Sequence, residues 1–478
     1  MGSYLPLGLV NSLKKMDHFD SDAFEHIHDS GEQLVSVHLN IEKPILHGDI
    51  WSAEKAYPPF ELAGKVPWAS DAFYLRSRPS FTLDPLFHAG AYYVQEASGM
   101  FVSFALKHIA DLRHKLKVLD LCAAPGGKST LIQSLISPES LLLSNEVIKT
   151  RVPVLTQNLT KWGRANGFVS NNDPSQFRRI PGFFDIMLID APCSGSGLYR
   201  KDPEAASSWS TELVKLCNQR QQRILSDVWD CLKEDGFLIY STCSYSKEEN
   251  EDILDFLFNQ YSCKSVALTP DPVWNIVETQ SDLAQAFGYR FYPDKLSGEG
   301  FFLSVIQKKQ TAVTEKSNQY SIGNPAKPGR AIKSGKNPVA ISKSAEKQIS
   351  EWISPDVLEY ISIEDSIHAL MPDLISDLEL LKNNLYLKKA GIRVGKAGER
   401  DWIPDHELAL ANFLRHDSPA LHVSKSDALD FLRGNPFNTH LPAKGWHTVC
   451  FQGHRLGWVK LLDKRMNNYY PKSWRIRQ

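Results

Sequence analysis

No run in the 478-residue sequence approaches the roughly 18 apolar residues that a membrane-spanning helix requires. The first residues hold no basic segment followed by a long apolar stretch, which argues against an export signal. Met1-Gly2 superficially suits N-terminal acylation, but Pro6 stands where Ser or Thr would be needed. The seven cysteines (122, 193, 217, 231, 243, 263 and 450) include no C-x-x-C pair, so a zinc knuckle or a thioredoxin-like redox site is disfavoured and no metal centre is expected. Their odd number, without an export signal, fits reduced thiols in the cytoplasm. An excess of charge of one sign is also missing: the formal net charge is -1, so any nucleic-acid contact must come from local charge.

What is present is the 42% apolar and 10% aromatic content of a globular chain, long enough for several domains. Residues 1–60 carry nine acidic and four basic side chains, a poor phosphate-binding surface. The alternation from Leu34 to Ile41 predicts a half-buried strand, and residues 1–80 read as a small α+β module. From 81 to 306 short apolar runs at 116–121, 141–144, 184–189 and 236–240 alternate with longer helical stretches, the rhythm of βαβ units. Residues 307–348 lose this periodicity and hold nine Lys/Arg against two Asp/Glu, which reads as a flexible basic linker. In 349–478 globular patterning returns. The last 39 residues carry eight Lys/Arg and one Asp among Trp446, Phe451, Trp458, Tyr469, Tyr470 and Trp474, a mixture suited to RNA, where bases stack and phosphates pair.

Val118-Leu119-Asp120-Leu121 leads into Cys122-Ala123-Ala124-Pro125-Gly126-Gly127-Lys128, which reads as a strand, a tight loop and a helix start. Small residues let such a loop approach a bound nucleoside. A Walker A loop would need Gly where Cys122 stands, so an NTPase is disfavoured, and the dinucleotide fingerprint is missing. Glu146 trails the second apolar run, where an acid can accept hydrogen bonds from ribose hydroxyls. Asp173 follows a possible third strand, Phe168-Val169-Ser170, and could meet an adenine amino group. Either could equally be a solvated strand-end acid.

Two further loops carry chemistry. In D-A-P-C-S-G-S-G, residues 190–197, Asp190 precedes Cys193 by three. In S-T-C-S, residues 241–244, Cys243 follows another buried strand. If these strands are neighbours, both sulfurs face one crevice. Carbon 5 of cytosine is a poor nucleophile; a thiolate added to carbon 6 makes it reactive, and an acid near ring nitrogen 3 must answer the charge that develops. Asp190 is placed for that task. Spacing alone leaves the two cysteines interchangeable.

At these loops the chain resembles the Nop/Sun-type RNA cytosine-carbon-5 methyltransferases. The similarity extends to Gly90-Ala91-Tyr92-Tyr93-Val94-Gln95-Glu96-Ala97-Ser98, to Arg200-Lys201-Asp202-Pro203 and to Gly298-Glu299-Gly300-Phe301-Phe302. The resemblance implies an α/β, Rossmann-like S-adenosyl-L-methionine-dependent core with a mixed, mostly parallel sheet. It implies Cys243 as nucleophile and Cys193 as the residue assisting product release. It places Cys122, Ala123, Ala124, Pro125, Gly126, Gly127, Lys128, Glu146, Asp173 and Asp190 at the cofactor. The segments Trp402-Ile403-Pro404-Asp405-His406-Glu407 and Asn467-Asn468-Tyr469-Tyr470-Pro471 resemble the bacterial small-subunit ribosomal RNA methyltransferase F branch. That likeness implies an RNA-binding N-terminal module (1–80), a catalytic domain (81–306), a PUA-like α+β or β-barrel RNA-binding region (349–478), and one cytosine of 16S ribosomal RNA as target. A monomer partnered by RNA, without membrane or metal, is the expectation. His38 departs from the frequent Arg of the family and Asp294 from the frequent His. The same reaction on transfer RNA, or a catalytically idle RNA-binding assembly factor, are the competing readings; intact Asp190, Cys193 and Cys243 weigh against idleness.

Overall fold

The computed structural model describes residues 4–45, 60–310, 339–340, 349–350, 352–353, 358–397, 402–437, 444–463 and 465–477. The linker read at 307–348 lies mostly outside these residues; its first two positions belong to a strand that ends at Lys308.

Near the N-terminus β1 (Val35–Leu39), β2 (Leu62–Lys65), β3 (Ala72–Leu75) and β4 (Tyr92–Val94) form an antiparallel sheet in the order β2-β3-β1-β4. The fourth strand lies past residue 80, so the sheet extends beyond the expected end of the module. Strand β1 is buried along almost its whole length and not on alternate residues. Its second face is covered too: His38 stacks on Tyr93 and packs against Trp162 of the neighbouring helix.

The central sheet contains β5 (Lys117–Asp120), β6 (Leu141–Asn145), β7 (Gly167–Ser170), β8 (Phe184–Asp190), β9 (Leu232–Thr242), β10 (Cys263–Ser265), β11 (Val277–Gln280), β12 (Phe287–Phe291) and β13 (Phe301–Lys308). Five of these, in the order β9-β8-β5-β6-β7, are parallel, with antiparallel strands at the flanks. Side chains along the parallel strands alternate between two cores. Leu119, Leu143, Met187 and Leu238 enter one, and Val118, Leu142, Ile186 and Ile239 the other. Burial on both faces is why these strands read as continuous apolar runs. The chain runs β5 to β6 to β7 on one side of the sheet and returns to β8 and β9 on the other. The strand order therefore reverses between β5 and β8, and a crevice opens at their carboxyl ends.

The C-terminal region is less independent than its sequence implies. Its strands are β14 (Val339–Ala340), β15 (Glu359–Ile363), β16 (Ser366–Leu370), β17 (Leu387–Ala390), β18 (Ile392–Ala397), β19 (Trp402–Pro404), β20 (Ala420–His422), β21 (Gly445–Phe451), β22 (His454–Leu461) and β23 (Met466–Asn468). Strand β17 pairs with β7 and so joins the central sheet, while helix Ile375–Asn384 lays Leu378 and Leu381 onto one core of the catalytic domain. Lys117 Nζ lies 2.5 Å from Asp377 Oδ1 across this junction. Strands β14, β15, β16, β18 and β19 make a separate sheet, and β20 to β23 another. That last sheet shares a hydrophobic cluster with the N-terminal module: Val35, Val37 and Phe73 pack in the same core as Phe431, Val449 and Val459. The two ends of the chain are thus packed together beside the catalytic domain.

Candidate active site

The crevice predicted by the topology is lined by Tyr93, Gln95 and Glu96 from the end of β4, Asp120 from β5, Cys122 to Pro125, Gly127 and Lys128 from the following loop and helix, and Asp190 from β8. The loop after β5 is fixed from several sides. The Ala123 amide donates to the Asn145 carbonyl at 2.8 Å, Asn158 Nδ2 donates to the Pro125 carbonyl at 2.8 Å, and an Arg151 guanidinium N–H donates to the Ala124 carbonyl. Gly127 allows close approach: a Cβ there would lie 3.1 Å from the Tyr93 ring.

Asp120 is buried. Its Oδ2 accepts from Ser129 Oγ at 2.6 Å, whereas Oδ1 has no partner. Burial raises its pKa to about 7 despite the Ser129 bond, and the Asp190 and Glu146 carboxylates push it the same way. An unsatisfied buried oxygen facing a cavity is a position for a ligand's donor. Lys128 adds a cation and the small loop residues add backbone groups. An unpartnered acceptor, a cation and closely approaching backbone are thus available to a polar ligand in the crevice. The Cys122 thiol is driven upward by burial and by its acidic neighbours, so it stays protonated and unreactive.

At the other end of the crevice Lys128 Nζ lies 2.7 Å from Asp190 Oδ2, and Ser241 Oγ donates to Asp190 Oδ1 at 2.8 Å. Burial alone would lower the Lys128 pKa, but the Asp190 carboxylate more than reverses this, and the ammonium is retained. Strands β8 and β9 are parallel neighbours, with Asp190 opposite Ser241. The loops that follow them bring Cys193 Sγ and Cys243 Sγ to 3.2 Å. The Cys193 pKa is raised by its hydrogen bond to Cys243, then by burial and nearby negative charge. Gly197 permits this meeting: its amide donates to the Cys243 carbonyl at 2.8 Å, and a Cβ would fall 2.3 Å from the Gly300 carbonyl oxygen.

Asp190, Cys193, Cys243, Lys128 and the 122–127 loop are therefore brought together. Glu146 stands at the end of β6, where Oε1 accepts from the Ile148 amide at 2.8 Å and Oε2 lies 3.4 Å from Arg151 Nη1. Asp173 caps the turn Pro174–Arg179 by accepting from the Ser175 amide and hydroxyl, which hold its carboxyl below the usual range. Neither acid is among the residues lining the crevice. His38, whose pKa burial lowers to about 3, is a neutral core residue 3.2 Å from Thr130 Oγ1. Asp294 is likewise a partly enclosed acid, raised by burial.

Sequence reasoning did not single out Asp120, Tyr93, Gln95 or Glu249 as functional. Asp120 had a usable signal, an acid ending the strand before the small-residue loop. Glu249 had none, because one of its two serine partners, Ser194, lies 55 residues away on the other cysteine loop. Among the described residues no group of His, Cys, Asp and Glu could hold a metal ion, and no helix is long and apolar enough to cross a membrane.

Comparison with known proteins matches this architecture region by region. Residues 108–307 match the family described as 16S rRNA methyltransferase RsmB/F, residues 5–97 the N-terminal domain of 16S rRNA methyltransferase RsmF, and residues 418–476 the methyltransferase RsmF PUA domain. The PUA match thus covers the sheet β20 to β23 and not the whole of 349–478. Ribosomal RNA small subunit methyltransferase F of Aeromonas salmonicida is 30% identical over 421 residues, 85% of this chain and 84% of that protein. Its counterpart in Enterobacter sp. (strain 638) is 29% identical over 417 residues, 85% and 83% of the two chains. Among solved structures, a methyltransferase homologue protein from Pyrococcus horikoshii aligns with a TM-score of 0.51 at 25% identity, covering 64% of this chain and all of that one. NSun6 from the same organism, solved with SFG, shares the fold at a TM-score of 0.51 and 17% identity over 65% of this chain and 100% of its own. With its catalytic core, both flanking domains and a 30% identical relative in agreement, the chain belongs to the ribosomal RNA small subunit methyltransferase F family.

Proposed function

We propose that this protein methylates carbon 5 of a specific cytosine in small-subunit ribosomal RNA through a covalent adduct on Cys243. The observation that carries the reading is the pair of thiols 3.2 Å apart beside the Lys128–Asp190 ion pair. The family depends on S-adenosyl-L-methionine, which when bound supplies an electrophilic methyl group. Asp120, Lys128 and the 122–127 backbone would hold it, with Glu146 and Asp173 as outer contributors.

Cys243, as thiolate, adds through Sγ to carbon 6 of the base, and the 5,6 double-bond electrons become available at carbon 5. Charge that builds toward ring nitrogen 3 is answered by a proton from Asp190, whose carboxyl stands 2.7 Å from the Lys128 ammonium. Once carbon 5 is methylated, its proton leaves to water and those electrons restore the double bond. The Cys243–carbon 6 bond breaks in the same step, Cys193, at hydrogen-bonding distance, donates its proton to the departing sulfur, and the proton gained at nitrogen 3 returns to Asp190. Positioned proton transfers of this kind contribute roughly 10²–10⁴-fold each.

RNA contact falls to the flanking domains. In the C-terminal sheet Trp458, Tyr470 and Phe451 are buried and serve as core. Tyr469 is 40% exposed and packs on Trp446, over which Lys460 Nζ sits at 5.3 Å. This trio offers stacking surface and charge together, the combination single-stranded RNA uses. Bisulfite sequencing of small-subunit ribosomal RNA from cells with and without the gene tests the reading. One cytosine should lose protection on deletion; unchanged ribosomal RNA would contradict the substrate.

A further inference from the structure

Behind the two sulfurs lies a carboxylate that the chemistry above does not use. Glu249 sits just after the S-T-C-S loop and is fully buried. Its Oε2 accepts from Ser194 Oγ at 2.5 Å and from Ser244 Oγ at 2.6 Å, and its Oε1 accepts from the Ser194 amide at 2.7 Å. Ser194 and Ser244 each directly follow one of the two cysteines. One carboxylate therefore binds both cysteine loops at equivalent positions. Gln221 Nε2, on helix Thr211–Val228, donates to the Pro192 carbonyl at 3.0 Å and lies 3.5 Å from Glu249 Oε1, which ties the Cys193 loop to the same centre.

Lys128 interacts with Cys243, and Glu249 adds to the influence of Cys243 and of burial on Cys193. Burial raises the Glu249 pKa, and the hydrogen bonds from Ser194, Ser244 and Gln221 work against that rise. The other ionisable groups facing Cys193 and Glu249 are Tyr199, Tyr240 and Cys217, all neutral and raised in pKa by burial, with Asp190 acting on Tyr240 from the base side. Arg220 acts on Cys217, whereas the leading influences on Cys193 include no cation.

We propose that Glu249 is a positioning residue that clasps the two cysteine loops together and keeps the proton on Cys193, so that Cys243 is the sulfur that attacks and Cys193 the one that returns a proton at release. The inference rests on the covalent reading above. No bond is made to Glu249 at any stage. It holds two hydroxyls and an amide, and its negative charge disfavours a thiolate on Cys193.

The test is Glu249→Gln in the full-length protein, a substitution that keeps size and removes charge. Two quantities are read: the pH dependence of Cys193 alkylation by iodoacetamide, followed by peptide mass spectrometry, and the fraction of protein trapped as RNA adduct on a denaturing gel. Cys193 should alkylate about tenfold faster at a given pH below its midpoint, the equivalent of one pKa step, and trapped adduct should rise severalfold while RNA affinity is unchanged. Glu249→Asp, which retains the charge but not the reach, should restore the alkylation profile without restoring turnover. If Glu249→Gln destabilises the fold, Ser194→Ala with Ser244→Ala removes the clasp alone and should slow turnover. Wild-type alkylation and adduct levels in Glu249→Gln would overturn the inference. Failure of the covalent reading is distinguished by Cys243→Ala, which would then still form adduct or methylate.

Discussion

The two cysteines beside the Lys128–Asp190 pair are chemically the same residue in unlike surroundings. Cys243 directly follows the strand whose Ser241 lies opposite Asp190 and shares the field of the Lys128 ammonium. Cys193 sits on the loop held by Glu249, next to a carboxylate instead of a cation. Equivalent positions after adjacent parallel strands give the two thiols their proximity. In the proposed reaction, the charges placed around each set which one attacks and which one returns the proton.

The largest effect on this asymmetry should come from removing its reactive member. Cys243→Ala should abolish methylation and adduct together, read by transfer of a labelled methyl group to RNA. Lys128→Met should follow: it removes the cation beside Asp190 and Cys243, so turnover should fall by roughly 10²–10⁴-fold with the protein still folded by circular dichroism. Gly197→Ala perturbs the distance between the loops and not their charge. A Cβ 2.3 Å from the Gly300 carbonyl and 2.9 Å from the Cys243 carbonyl forces them apart, and overpacking of this kind costs about 1–3 kcal/mol. Turnover should drop by about 10²-fold, as for a displacement of roughly 1 Å, while substrate binding is retained.

The smallest effect concerns stability. Asp120 has a folded pKa of about 7 against an ordinary value of 3.8. The folded state therefore binds this proton more tightly than the unfolded one, and stability falls as pH rises from about 4 to about 7. Asp120→Asn should flatten that decline in thermal melts recorded without cofactor. An unchanged slope would show that the carboxylate is not held neutral.

Much of the catalytic centre was legible because the parallel strands are buried on both faces and announce themselves as apolar runs ending in acids or cysteines. Asp190, Cys193 and Cys243 fall at or just past such ends, and Lys128 opens the helix after the loop that follows β5. The docking of β17 was not legible. Leu387-Lys388-Lys389-Ala390 looks polar, yet Lys389 is buried and paired with Glu407, a neutralisation that only the tertiary structure supplies. The N-terminal boundary fell short because β4 is only three residues long and precedes no break in composition. The shared core between the chain's two ends rests on contacts some 400 residues apart, such as those joining Val37 and Val459 in one cluster, and no local pattern encodes them. Asp173 was visible as a strand-end acid, but short-range capping of Ser175 is a use that the same spacing serves equally well.

The most direct measurement of the central claim is mass-spectrometric mapping of the RNA–protein crosslink that accumulates in Cys193→Ala. The account predicts a cytosine joined to Cys243, absent from the double variant Cys193→Ala/Cys243→Ala. A crosslink that forms through Cys193 in Cys243→Ala, or an adduct that survives loss of both sulfurs, would contradict it.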